Sequence, residues 1–221
     1  MDIDTRYINQ LEVIATIFTI DKGEIKVLLF RKTEEPFKGY WYLPSNLLMT
    51  TETIENCCND TIFEFAGLEN LYIEQCNIFS KINRLPGDRI IANSLIAVVD
   101  NITLEIKRHK RKGIESQWFD IESVPKMVYD HGEILEDAIK YFKKRVIEYD
   151  MLVKFFPSDF TLPEIQHIYE QSLGKTLDRR NFRKKMISLD ILEDTGYKNN
   201  KNNGRPAKLY RFKDSEIIEQ F

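Results

Sequence analysis

The chain has 221 residues, 43% of them apolar, and a formal net charge of −3. That length suits two ordinary domains, and the acidic average excludes a uniformly basic nucleic-acid binder. Cys57, Cys58 and Cys76 give neither an even disulfide framework nor zinc-ligand spacing, and the acidic start "MDIDTRYINQ" is unlike a signal peptide. With no apolar run of membrane-spanning length, the expectation is a cytoplasmic protein with buried thiols and no membrane partner.

Short β-branched segments dominate from Leu11 to Trp118. "LEVIATIFTI" and "IKVLLFRK" flank Asp21-Lys22-Gly23-Glu24, a hairpin signal, and further strands are predicted at "LYIEQCNIFSKI", "RIIANSLIAVV" and "SQWFDI". Between them "ETIENCCNDTIFEFAGL" reads as an amphipathic helix, with Thr53 as N-cap, an apolar face of Ile54, Cys57, Cys58, Ile62 and Phe65, and Gly67 as its left-handed stop. The two cysteines pack this helix rather than react, because nothing basic lies nearby in sequence to stabilise a thiolate. A second helix is predicted from about His131 to Tyr149, its apolar face running from Ile134 through Phe142 to Ile147, with His131 capping or orienting its start. This is a mixed α/β domain over residues 1–150.

The texture changes over residues 151–221. "FTLPEIQHIYEQSLG" places Thr161 three residues before Glu164 as a capping box and Gly174 as a stop. "LDRRNFRKKMISLD" forms a second, basic helix, and "ILEDTG" and "AKLYRF" read as two strands around a polar loop. Helix, basic helix and basic-tipped hairpin is the order of a winged helix-turn-helix. Between Lys175 and Lys213 there are 12 basic against 4 acidic residues, so the acidic average conceals a basic end.

An exposed basic face is ordinarily only solvated, but the periodicity here sorts the residues. Phe182, Met186, Leu189 and Ile191 are expected to point inward, leaving Arg179, Arg180, Asn181, Arg183 and Lys184 outward; Arg179, Arg180 and Asn181 would meet base edges and the others phosphates. Lys198, Lys201, Arg205 and Lys208 would add a second basic arm from the wing, reaching backbone or minor groove. The basic run "KRHKRK", Lys107–Lys112, is read as an exposed loop.

These features, with "YWYLP", "RLPGDR" at Arg84–Arg89, "WFDIESVPKMVYDHGEILEDAI" at Trp118–Ile139 and "GRPAKLYRF", resemble the Nudix-related transcriptional regulators over nearly the whole chain. That family joins a Nudix-fold effector domain to a C-terminal winged helix and includes repressors of NAD metabolism and of arabinose use. The resemblance implies an α+β chain: a Nudix fold, with a mixed β-sheet sandwiched by helices, for sensing and dimerisation, then the DNA-binding winged helix. It implies a homodimer on a palindromic double-stranded DNA operator, responding to a small effector. Arg84 and Arg89, around the turn of "NRLPGDR", are the candidate effector contacts, with pairing to the domain's own acids or to a second subunit as the alternative.

Hydrolytic Nudix proteins follow G-x5-E-x7-R-E-U-x-E-E-x-G-U, whose glutamates hold divalent metals. Aligned on Gly67, this chain has Asn46 at the first glycine, Glu52 at the first glutamate, Asp60 at the arginine, Thr61 at the next glutamate, and Glu64 and Phe65 at the last pair. One remaining helical carboxylate is a poor ligand set for Mg²⁺. The expectation is therefore no catalytic residue, no metal and no cofactor. The effector would be a sugar or an ADP-ribose-type metabolite, the damaged metal box favouring the sugar. An active Nudix diphosphatase and a Nudix-derived interaction module are the alternatives.

Overall fold

The computed structural model describes residues 10–21, 23–87, 89–99, 115–156, 159–199 and 206–213. Two compact units emerge, one formed mainly by residues up to Phe142 and one mainly from Lys143 onward, the segment Thr19–Ile25 counting with the second.

The first unit is ordered around a seven-stranded sheet. Strands β1 (Gln10–Asp21), β2 (Glu24–Arg31), β3 (Trp41–Tyr42), β5 (Tyr72–Phe79) and β6 (Ile90–Val99) run in the order β3-β2-β1-β6-β5. Strand β4 (Ser45–Leu47) pairs with β1, and β7 (Glu115–Asp120) pairs with β2. The predicted strands are all present, and β3 and β4, too short to show a period, are additional.

Strand alternation divides the apolar residues between the two faces of this sheet. Val13, Ala15, Ile17, Leu28 and Phe30 lie in one core with Cys58, Ile62 and Phe65 of helix α1 (Ile54–Ala66). On the other face Phe18 stacks on Phe142 of helix α2 (His131–Arg145) at 4.3 Å between ring centroids. A sheet buried on both sides explains why β1 and β6 read as nearly continuous apolar runs.

Helix α1 is bounded as its sequence predicts. The Thr53 hydroxyl accepts the Asn56 N–H at 3.2 Å, and Gly67, at φ 68°, closes the helix by donating its N–H to the Phe63 carbonyl. Helix α2 departs from expectation. It ends at Arg145, the chain turns, and helix α3 (Tyr149–Phe155) follows, so residues 131–149 are not one helix. Buried Val146 continues the apolar period across the break, and Arg145 holds the turn by pairing with Glu148 and, at 3.0 Å, with Asp150.

In the second unit, helix α4 (Leu162–Leu173) and helix α5 (Arg179–Ser188) pack with a three-stranded sheet of order β8-β10-β9, formed by β8 (Phe160–Thr161), β9 (Leu192–Asn199) and β10 (Ala207–Phe212). The capping box is real: Glu164 accepts the Thr161 backbone N–H at 2.6 Å. Phe155, Phe160, Ile165, Ile168, Met186 and Phe212 fill the core. Among the described residues no helix is long and apolar enough to cross a membrane.

Candidate functional site

Helix α5 begins at Asp178, whose carboxylate accepts the Asn181 N–H at 2.8 Å. The turn before it is fixed from α4: Gln166 donates to the Leu177 carbonyl at 2.9 Å, and Glu170 accepts the Leu177 N–H at 2.8 Å. Tyr169 meets Phe182 edge-on at 5.3 Å. Helix α5 is thus held by packing and by both polar groups of one turn residue.

Phe182 and Met186 are buried, while Arg179, Arg180, Asn181, Arg183 and Lys184 are exposed, as expected. Leu189 is the exception. It is 44% exposed, because the helix has ended and Leu189 itself serves as the C-cap.

No acidic side chain follows Asp178 in the first turn of α5, and Arg179 and Arg180 occupy it instead. Cations there oppose the helix dipole, a local cost of roughly 0.3–1 kcal/mol each. Among the described residues, the side chains of Arg179, Arg180, Asn181 and Lys184 make no hydrogen bond or ion pair. A helix start that adds guanidinium groups to the positive end of the helix dipole suits a polyanion.

Arg183 differs, because its guanidinium donates to the Tyr210 hydroxyl at 3.1 Å. On the hairpin, Lys198 and Lys208 face each other across β9 and β10, and Lys208 turns to Asp194 at 2.6 Å. Lys201, Arg205 and the Lys107–Lys112 run lie outside the described residues.

In the first unit, β4 separates two polar networks, since Ser45 and Asn46 project to opposite faces. On the α1 side the Asn46 amide donates to the Thr61 hydroxyl at 3.1 Å and to Glu64 at 3.2 Å. Thr61 in turn donates to the Cys57 carbonyl at 2.7 Å, and Glu52 accepts the Met49 N–H at 2.7 Å. Phe65 is buried edge-on against Phe30. An amide donor against Glu64, a hydroxyl and an apolar ring do not fit a divalent cation that needs several oxygen lone pairs.

On the α2 side Ser45 donates to Glu12 at 2.7 Å. The Arg84 side chain, 1% exposed, pairs with Glu12 at 2.8 Å and forks onto Asp130, Nε at 2.9 Å and Nη2 at 3.2 Å. Arg89 donates to the carbonyls of Ser80 and Lys81, both at 2.7 Å, closing its loop on itself. Both arginines expected to meet an effector are therefore engaged by the protein, Arg84 with acids, the alternative the sequence left open.

Buried His131 accepts the Leu43 N–H through Nδ1 at 3.0 Å, so the neutral ring carries its proton on Nε2. Burial lowers its pKa to about 4, against the opposing pull of Glu12 and Asp130. Sequence reasoning missed this residue's partner, 88 positions away. Burial raises the thiols of Cys57 and Cys58 to about 11 and about 12, consistent with packing rather than reactivity.

Residues 152–212 match the model of the NrtR DNA-binding winged helix domain. The chain is 28% identical over 200 residues to an ADPR-responsive transcriptional repressor, NtrR, of Acinetobacter baylyi, covering 89% of this chain and 79% of that protein. The crystal structure of Shewanella oneidensis NrtR complexed with a 27mer DNA superposes with a TM-score of 0.74 at 26% identity, covering 94% of this chain and 95% of that one. An ADP-ribose pyrophosphatase of Methanocaldococcus jannaschii is 29% identical over 116 residues, which is 52% of this chain and 67% of that enzyme.

Proposed function

We propose that the chain, a Nudix-related transcriptional regulator with a Nudix fold followed by a winged helix, acts in the cytoplasm as a homodimeric repressor released or recruited by a small effector. The observation that carries this reading is the start of α5, where Arg179, Arg180 and Asn181 are exposed against the helix dipole. Arg179, Arg180 and Asn181 read base edges, while Arg183, Lys184, Lys198, Lys201, Arg205 and Lys208 meet the backbone or minor groove. Two copies in fixed geometry read a palindromic operator. The division of labour falls near residue 150, with residues 1–150 sensing and pairing and residues 151–221 reading DNA.

The effector is an ADP-ribose-type metabolite rather than a sugar. The ADPR-responsive A. baylyi relative supports this over the preference drawn from the metal box, since losing metal ligands removes hydrolysis without removing a nucleotide pocket. Arg84 and Arg89 serve the effector by holding the loop between β5 and β6 in shape. The first unit does not hydrolyse its ligand, because Asn46, Thr61 and Phe65 replace what a metal centre needs.

A duplex from the chain's own upstream region is titrated with purified protein at several salt concentrations, with and without ADP-ribose or arabinose. Salt-dependent binding that shifts with ADP-ribose alone is expected. Mg²⁺-dependent cleavage of ADP-ribose without duplex binding would favour the diphosphatase reading that the M. jannaschii likeness keeps in view.

A further inference from the structure

The base of the wing hairpin carries four polar side chains from three elements, all engaged with one another. Tyr210 of β10 stands opposite Asp194 of β9, Lys208 stands opposite Lys198, and the register slips between Lys208 and Tyr210. The extra residues bulge out of β9 at Gly196, whose φ of 77° is a conformation that side-chain-bearing residues rarely adopt. The bulge is held from inside. Asp194 accepts the Gly196 N–H at 3.1 Å, and the Thr195 hydroxyl bonds to the Leu209 carbonyl at 3.0 Å.

Residues 194, 198, 208 and 210 share one face of the ribbon, because directly paired residues project together. This face meets α5, since the buried Tyr210 ring brings its hydroxyl to the Arg183 guanidinium at 3.1 Å. Asp194 then lies beside Lys208 and within the influence of the Arg183 charge. Lys208 touches it at 2.6 Å, and its carboxyl is held below the usual range by that hydrogen bond first, by the Gly196 N–H next, and to a smaller degree by Lys208 and Arg183 charge. Lys208 also feels Arg183, which opposes the rise that Asp194 causes in its pKa. Lys208 is paired to the carboxylate, and Arg183, bonded to the Tyr210 that stands opposite Asp194, adds its charge, an arrangement that suits a phosphate.

We propose that Arg183 and Lys208 form one composite subsite for a backbone phosphate of duplex DNA, with Tyr210 positioning the guanidinium and Asp194 as an internal anion that the phosphate displaces. The proposal rests on the DNA-binding reading and adds an element of opposite sign to it. A carboxylate among phosphate contacts lowers affinity for every sequence alike, so the discrimination made at the start of α5 is left in place while indiscriminate binding is held down. Tyr210, absent from any list of basic residues, gives the subsite its geometry.

The test uses the full chain, the upstream duplex and a random duplex, titrated by fluorescence anisotropy over a range of salt. Asp194→Asn keeps an oxygen for the Gly196 N–H and removes only the charge. It should tighten both duplexes by roughly three- to tenfold and steepen the salt dependence by up to about one unit of log–log slope. Tyr210→Phe keeps the buried ring and should weaken both duplexes to a similar degree. In an Arg183→Ala background Tyr210→Phe should have no further effect, because the hydroxyl acts through that guanidinium.

Unchanged or weaker binding by Asp194→Asn overturns the internal-anion role. An equal loss from Tyr210→Phe with and without Arg183 makes the tyrosine merely structural and overturns its positioning role. Inorganic phosphate that competes with duplex better than chloride at matched ionic strength would make this a free-anion site. A chain that binds no duplex at all fails the functional reading and takes the subsite with it, whereas the preceding outcomes fail the subsite alone.

Discussion

Helices α1 and α5 are both amphipathic and both capped by a side-chain oxygen, yet their polar groups go to opposite destinations. On α1, Thr61 and Glu64 are met by Asn46 from β4, and Glu52 just before the helix is bonded to its own turn. On α5, Arg179, Arg180 and Lys184 extend outward, two of them against the dipole. The first helix has turned its chemistry inward, where pairing holds a fold together. The second keeps charge at a location unfavourable for the isolated helix, and that cost is recovered only when an anion arrives.

The inward-paired half is most exposed to failure at Arg84. Replacing it with alanine strands the Glu12 and Asp130 carboxylates in the interior, and the expected loss is roughly 3–5 kcal/mol. Both tryptophans, Trp41 and Trp118, belong to the first unit, so denaturant unfolding followed by tryptophan fluorescence reads it separately. A loss below about 1 kcal/mol, the range of an ordinary surface ion pair, together with abolished effector binding would return Arg84 to direct ligand contact.

A smaller effect is expected from acid. The folded pKa of His131 is depressed to about 4, below the ordinary histidine value of 6.5. Between those values the unfolded chain binds the extra proton, so stability is full above about pH 6.5 and falls as pH drops towards 4. The span corresponds to on the order of 3 kcal/mol, read by the same fluorescence as unfolding midpoint against pH. In His131→Gln, which offers an acceptor to the Leu43 N–H without titrating, this histidine contribution should vanish; an unaltered slope would assign the acid sensitivity to other groups.

On the outward-facing half the expected effects separate by kind. Arg180→Ala or Asn181→Ala should cost about 1–3 kcal/mol on the cognate duplex and much less on random DNA. Lys184→Ala should weaken both duplexes alike and lower the salt slope by about one. If both kinds of change act alike on the two duplexes, the start of α5 touches only backbone.

Much of this architecture is legible in the sequence because it is local. The Thr53 and Gly67 caps, the Thr161–Glu164 box and the Phe182–Met186 face of α5 are all decided within a few residues. The break at Arg145 was not legible, since no glycine or proline marks it and Val146 keeps the apolar period. The exposed cations were also legible, because a basic run with an apolar period predicts its own outer face. Their partners were not. Arg183 and Tyr210 are 27 residues apart, Arg84 and Glu12 are 72 apart, and only the packing of a helix and a loop against distant strands brings them together.

The smallest expected effect tests the oldest-looking feature of the molecule. Glu64 aligns with a metal-binding carboxylate, but here it accepts a hydrogen bond from Asn46, and no group of three or more His, Cys, Asp or Glu among the described residues is arranged to hold a metal ion. Glu64→Gln retains an acceptor oxygen for that amide while removing the charge, so stability should stay within roughly 0.5 kcal/mol of the parent. Mg²⁺ and EDTA should give the same melting temperature in both proteins, because a cation that binds only the folded state would raise it with concentration. ADP-ribose should remain uncleaved by either. A rise in melting temperature with Mg²⁺ that Glu64→Gln abolishes would mean that the Asn46 contact opens to admit metal, and α1 would then rank with α5 as a helix whose polar groups await a partner from outside.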